Sequence, residues 1–268
     1  MANKYLGRDD FSGSEEVWAR LDEIVISSAK SQLSARRLLD IEGPYGLALK
    51  SVPLPDRIVK EADPKVMAGG VLSVPLIETT FSLGARDLAA FESGGFSLDT
   101  EAVATAAINM ASAEDALIFE GSKELGIEGL LNAKGVQSVK LGNWDEVGAA
   151  ANDIIKAINA LDTAGFHGPY LLALSPDLHN LLYRLYPQGY QVEMQHVESI
   201  VGSSVIKAPG IKNGGALLAA GKQFASIIIG QDMTAGFVGP EDGRFVFSIS
   251  ESLTPYIRVP ASVCVLKA

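Results

Sequence analysis

Between Gly46 and Leu83 the chain reads GLALKSVPLPDRIVKEADPKVMAGGVLSVPLIETTFSL. The stretch holds Pro53, Pro55, Pro64 and Pro75 and a Gly69-Gly70 pair, with short β-prone runs at both ends. It has too few apolar residues to build a core of its own. Proline lacks the N–H that a central strand needs, so these strands belong at an edge or outside a sheet. Loops this long without a core are uncommon and are usually functional or interfacial. The pattern therefore predicts two extended strands flanking a polar tip, an arm that leaves the body of the protein. Just before it, DIEGPYG (Asp40–Gly46) supplies a rigid turn.

The rest of the chain reads as a mixed α+β order without regular βαβ alternation. Residues 12–34 form a first helix: Ser12 and Glu15 fit a capping box, and Val17, Leu21, Ile24, Val25 and Ser28 recur at helical spacing with Trp18 beside them. That face packs on the parent domain, or part of it meets a partner or ligand. The strongest helix is 99–120, capped by Asp99 or Thr100, with Val103, Ala107, Met110, Ala113 and Leu117 as its buried stripe. A third helix spans 143–163, with Asn143 and Glu146 as a capping box and Gly165 closing it. GPYLLALS is a buried strand, SPDLHNLLYRLY a short helix, YPQGYQ a turn and VEMQHVESIVG a last helix. A strand-rich tail follows, in which Phe245, Phe247 and Ile249 alternate with small or polar residues. Residues 143–202 read as an insertion between parts of a second domain.

Composition excludes several functions. The chain has 268 residues, enough for a sizeable core, and 22 Lys+Arg against 32 Asp+Glu give a net charge of −10. That opposes a nucleic-acid partner held through phosphates, which needs clustered cations. No apolar run of membrane-spanning length occurs, so no membrane partner is expected, and no leader is visible at the N-terminus. Cys264, in a β-branched run, reads as a small buried hydrophobe. His167, His179 and His196 have no metal-ligand spacing: His167 reads as a turn residue, and the other two as solvated or locally hydrogen-bonded. No phosphate loop, dinucleotide fingerprint or serine elbow is present. Asp40 and Glu42 share a strand face and are expected to pair with Arg36 or Arg37 or to cap the turn, while Asp87, Glu92, Glu114, Asp115 and Glu120 read as solvated helix positions. No catalytic residue and no metal site emerges.

Several segments carry a resemblance. KSQLSARRLLDIEGPYG (Lys30–Gly46), SVPLIE (Ser73–Glu78), EDALIFEGSKELGIEGLL (Glu114–Leu131), GPYLLALSPDLHNLL (Gly168–Leu182) and IIIGQDMTAGF (Ile227–Phe237) are similar, in this order, to segments of encapsulins, the linocin-like shell proteins of bacteria and archaea. The resemblance implies the HK97 phage-capsid-like fold: a peripheral domain with a spine helix, an elongated loop and an inserted apical domain. It divides the chain into 1–46 (first helix and start of the peripheral domain), 47–80 (elongated loop), 81–134 (spine), 135–222 (apical domain) and 223–268 (return to the peripheral domain). The arm becomes the loop that overlaps a neighbouring subunit, and the Gly43–Gly46 turn sets its exit angle.

The implied function is a self-assembling, cytoplasmic nanocompartment shell, a homo-oligomer of about 60 copies in its simplest closed form. It encloses a cargo enzyme, with iron storage or oxidative-stress defence as the service. Cargo of this family carries a C-terminal peptide that docks in an apolar groove, for which Val25, Leu33, Leu39, Asp40 and Ala235 are the matching residues here. The matching five-fold pore residues are Gln188, Tyr190 and Gln191. Some relatives bind a flavin through aromatics, but SLGARDL (Ser82–Leu88) lacks a tryptophan and Gln191 stands where an aromatic is wanted, so no cofactor is expected. The alternative is a phage or prophage major capsid protein, against which the lack of a long N-terminal scaffold segment counts. A soluble hydrolase is a third reading, without a nucleophile–base pair to support it.

Overall fold

The Gly43–Gly46 turn is fastened to the sheet beneath it. Tyr45 and Gly46 donate their backbone N–H groups to the carbonyls of Ile229 (3.0 Å) and Gly230 (2.6 Å). Gly43 has φ +121°, and a Cβ there would strike the Ile229 carbonyl oxygen, so only glycine fits. The structure is a computed structural model and describes residues 4–94, 96–187 and 189–268.

The chain begins with two short 3₁₀ turns and α1 (Glu15–Gln32), then α2 (Ala35–Leu38) and β1 (Asp40–Glu42). β2 (Ser51–Lys60) and β3 (Val66–Ser73) pair only with each other, as an antiparallel hairpin with its tip at 61–65. This is the expected arm. β4 (Leu76–Gly84) returns to the body, followed by α3 (Ala85–Glu92) and the long α4 (Glu101–Glu120). The small strands β5 (Gly121–Ser122) and β6 (Ile127–Glu128) lead to β7 (Gln137–Lys140), α5 (Ala149–Thr163), β8 (Tyr170–Leu174), α6 (Pro176–Leu181), α7 (Glu193–Val201) and β9 (Val205–Lys207). β10 (Gly215–Ala219), β11 (Ala225–Ile229), β12 (Thr234–Glu241), β13 (Arg244–Ile257) and β14 (Val263–Lys267) complete the chain.

Two five-stranded sheets organise these elements. In the first, β13 is the axis: residues 244–252 hold β12 and β4 on opposite edges, and residues 253–257 pair with β11, on which β1 lies in parallel. The second runs β7-β14-β10-β8-β9. Val263–Lys267 therefore lies in the second sheet, between β7 and β10, while 225–257 stay in the first.

Among the described residues three large apolar clusters hold the body, beside a small one of Ala29, Leu33 and Ala111. Phe11, Val17, Leu21, Phe81, Met110 and Phe247 join α1, α4 and the first sheet. Trp144, Ile154, Leu161, Leu172, Leu182 and Leu217 fill the second unit. Leu38, Phe119, Leu130, Ile211, Ile227 and Leu253 weld the two together. Each fully buried side chain of this size contributes about 1.5–3 kcal/mol.

Local structure departs from expectation at two helix starts and along one buried stripe. α1 starts after Ser14, whose backbone N–H donates to Glu92 Oε1 at 2.6 Å, so no box forms between Ser12 and Glu15. α5 starts at Ala149 rather than near Asn143, because Trp144 is buried with its indole N–H on Asp153 (2.9 Å) and pulls 141–148 into a loop. The N–H of Gly148 goes instead to Glu193 Oε1. On α4, Ala113 is exposed, whereas Glu114 and Asp115 are buried rather than solvated.

Candidate functional site

Those two acids organise the seam between α1, α2 and α4. Asp115 accepts from the backbone N–H groups of Ser34 and Ala35 at 3.0 Å each and from the Ser34 hydroxyl, which caps the break between α1 and α2. Glu114 takes the Nε–H of Arg36 at 2.6 Å and an Nη2–H at 2.9 Å. The same guanidinium reaches Glu251 of β13 at 3.2 Å and Asp232 at 2.8 Å. The side chains of Glu114 and Glu251 have no solvent exposure. Burial raises the pKa of Glu114 above the ordinary carboxylate value despite Arg36, and burial with the Glu114 charge pushes Glu251 up to about 9. Burial opposes the charge of Arg36, but the bonds to Glu114 and Asp232 outweigh it and raise its pKa.

Arg36 and Asp232 also form one end of an apolar groove. Val25, Ile26, Ala29, Lys30, Leu33 and Met233 complete it around a cavity of about 80 Å³. Cofactor pockets run to about 300–1,000 Å³, so this one is too small for a flavin. Ile26 stands at the groove with 49% of its surface exposed, an apolar side chain on an otherwise polar outer helix face.

The five expected groove residues do not form one surface. Val25 and Leu33 line the cavity. Ala235 is fully buried in the aromatic cluster of α1 and the first sheet, where its carbonyl accepts from Arg8 Nε. Leu39 packs in the cluster that joins the two units. Asp40 is exposed at the start of β1, at the edge of the first sheet. Glu42 pairs with Arg258 at 2.7 Å, not with Arg36 or Arg37; against its partial burial, Ser226 and Arg258 hold its carboxyl below the ordinary value. Sequence reasoning missed Ile26, Ala29, Met233 and the Arg36 cluster. Ile26 was legible as an apolar residue off the main stripe. The others depend on contacts made across the fold.

Two of the expected pore residues, Tyr190 and Gln191, lie on the turn before α7. Leu185 and Val192 form an isolated antiparallel bridge, and Tyr186 donates its N–H to the Gln191 carbonyl at 3.1 Å. Tyr190 and Gln191 are exposed at the tip; Gln188 lies outside the described residues. The Tyr186 hydroxyl meets His196 Nδ1 at 2.7 Å. His179 is buried rather than solvated, with an unpartnered Nδ1, and burial lowers its pKa. Cys264 is buried and burial pushes its thiol up to about 11, an inert state. Among the described residues no cluster of His, Cys, Asp and Glu has the geometry of a metal site.

The arm is the other candidate surface. Val59, Val71 and Met67 are 68%, 70% and 57% exposed on a lone two-stranded ribbon. A concavity of about 640 Å³ separates its base, at Leu54, Arg57 and Val71, from Tyr256, Arg258 and Pro260 of the body.

Residues 3–254 match the family Linocin_M18, described as "Encapsulating protein for peroxidase". The type 1 encapsulin shell protein EncA of Myxococcus xanthus is 32% identical over 98% of this chain and 96% of its own length. A diheme-cytochrome-encapsulin shell fusion protein of Kuenenia stuttgartiensis is 29% identical over 95% of this chain and 73% of its own. Among solved structures, a virus-like particle from Pyrococcus furiosus superposes with a TM-score of 0.76 at 22% identity, covering 94% of this chain and 100% of that one. The two-unit α+β body with a projecting hairpin is thus the HK97 capsid-type fold.

Proposed function

This chain belongs to the encapsulin family of encapsulating shell proteins, and from that premise we propose that it is the repeating subunit of a closed cytoplasmic nanocompartment that holds a cargo enzyme. The observation that carries the reading is the arm: a ribbon of two strands is marginal in water by itself, and exposed apolar side chains such as Val59, Met67 and Val71 call for a covering surface. A neighbouring copy supplies it when each arm lies over the next subunit. Closure by rotational symmetry gives the smallest shell about 60 copies.

The cargo is held by a short C-terminal peptide with aliphatic anchors, seated in the groove of Val25, Ile26, Leu33 and Met233 with Lys30 and Arg36 at its rim. Asp40 meets the peptide beyond the groove, whereas Leu39 and Ala235 act from beneath as packing. The turn of Tyr190 and Gln191 lines an opening for ions and small substrates. The division at 46, 80, 134 and 222 separates the working parts: arm, spine and apical unit. The shell itself carries out no catalysis. Fusion of a shell protein to a diheme cytochrome in a relative supports a redox or iron-handling cargo. The phage-capsid alternative shares the fold, and family membership separates the two.

The test is negative-stain electron microscopy of the purified protein, with mass spectrometry of what co-purifies from the native host. Uniform hollow particles with a ferritin-like protein, peroxidase or cytochrome inside are expected. Small oligomers without cargo would overturn the reading.

A further inference from the structure

Glu114 Oε2 and Glu251 Oε2 both accept from Nη2 of Arg36, at 2.9 and 3.2 Å, and neither side chain has any solvent exposure. Two carboxylates set on one nitrogen and out of water repel each other, and a proton on one of them removes that repulsion. Arg36 is the cation shared by both, and it also serves Asp232. Fully ionised, three carboxylates around one guanidinium would leave a charge of −2 against the sheet; one proton reduces it to −1. Glu251 Oε1 meets no donor, so nothing else is placed to stabilise a second full charge.

The surrounding elements add no counter-charge to the buried pair. On α4 the neighbour is Asp115, another acid, already committed to Ser34 and Ala35. On β4 the residue opposite Glu251 is Ile77, while Glu78 is exposed on the other face. The link from β11 to β12 offers Asp232 and the neutral Gln231, whose amide donates to Ser250. On α1, Lys30 lines the groove and is exposed. Arg37 turns away to the Lys207 carbonyl.

We propose that Glu114 and Glu251 share one proton while the seam between α2, α4 and β13 is closed, and that opening the seam releases it, so that the wall of the cargo groove loosens as pH rises. Arg36 is both a lining residue of the groove and the tie between the three elements, so the seam and the groove wall move together. The occupant of the groove rests on the shell reading above; the proton latch belongs to the chain. The sign follows from linkage. A buried acid holds its proton in the closed state and loses it in water once opened, so each unit of pH makes opening about tenfold easier. The dependence ends near pH 9, where the closed seam loses the proton as well.

Two measurements on the full-length protein test this. Infrared spectroscopy at neutral pH is expected to show the carbonyl stretch of a neutral carboxyl group, lost at strongly alkaline pH and absent from Glu251→Gln. Hydrogen exchange of residues 33–40 and 230–235, corrected for the intrinsic pH dependence, is expected to speed up about tenfold per pH unit and then level off. The Glu251→Gln profile should be flat. A wild-type protein without the neutral-carboxyl band overturns the proposal without recourse to any variant, as does a pH profile shared by the two proteins. A protein that shows both signals but builds no shell keeps the latch and removes the shell reading.

Discussion

Arg36 grips Glu114 with both arms of its fork, at 2.6 and 2.9 Å, and so ties the short helix α2 to the middle of the spine helix α4. A fork on a carboxylate is among the stronger polar contacts a protein makes, yet its value lies in what its loss would leave behind. Arg36→Met strands Glu114 and Glu251 without their cation, and breaking one side of a buried pair costs about 3–5 kcal/mol. The unfolding midpoint should fall by roughly 6–20 °C in a chain of this size. Replacing all three residues by apolar ones of similar volume should recover much of it. Calorimetry at neutral pH compares the two; equal midpoints for wild type and Arg36→Met would mean that the cluster contributes nothing.

The role proposed for the arm lies between chains rather than within one. β2 and β3 bond to each other and leave Val59, Met67 and Val71 open, so deleting residues 55–68 removes little of the body's core. The expected product is a soluble, folded protein that forms few or no closed particles. Sedimentation and electron microscopy read the outcome directly, and normal shells from the deletion would show that the arm does not join subunits.

Trp144 reports on the apical core through Asp153. That carboxylate accepts from the Trp144 indole N–H (2.9 Å), the Gly142 N–H (2.7 Å) and Lys156 (2.8 Å). Burial works against its charge, but these donors win and hold its pKa below the ordinary value. A lowered folded-state pKa contributes stability that is present above the unfolded value and is lost as pH falls through the folded one. Asp153→Asn should therefore remove part of the acid-side fall in stability. At neutral pH it should cost about 1.5–3 kcal/mol, the range for a hydrogen bond to a charged group. Denaturant titrations followed by tryptophan emission at neutral and acid pH measure both; parallel acid-side curves would sink the assignment.

The parts of this fold that were legible in the sequence are those whose cause is local. The arm follows from closely spaced prolines and glycines with few apolar residues between them, and the buried faces of α1 and α4 follow from spacing at Val17, Leu21, Ile24, Val103, Ala107, Met110 and Leu117. The capsid-type fold was reached through segment resemblance rather than periodicity. The misreading of Glu114 and Asp115 has one source. The stripe of α4 continues naturally from Met110 to position 114, but a charge there reads as solvated unless its cation is known, and Arg36 lies 78 residues away. Similarly, nothing near Asn143 announces that Trp144 will seek Asp153 and delay α5. The groove was only half legible, because Met233 and Asp232 arrive from the far end of the chain.

Exposure divides the groove candidates into those that test docking and those that test folding. Val25 is 2% exposed and Ala235 fully buried, so a charge at either would damage the body before any effect on cargo could be read. Ile26, half exposed at the cavity, is the cleaner probe. Ile26→Asp removes an aliphatic contact and adds a charge where an apolar anchor would sit. A buried aliphatic contact is worth about 1.5–3 kcal/mol, so cargo retention should weaken about ten- to a hundredfold while particles still form. Asp40→Lys, exposed on the edge strand β1, should also leave shells intact and lower the cargo they carry. The readout is the ratio of cargo to shell protein in particles purified from the native host. If Ile26→Asp empties the shells and Asp40→Lys does not, the peptide lies in the groove of α1 and does not extend to β1. If both variants stay full, the groove is not the docking site.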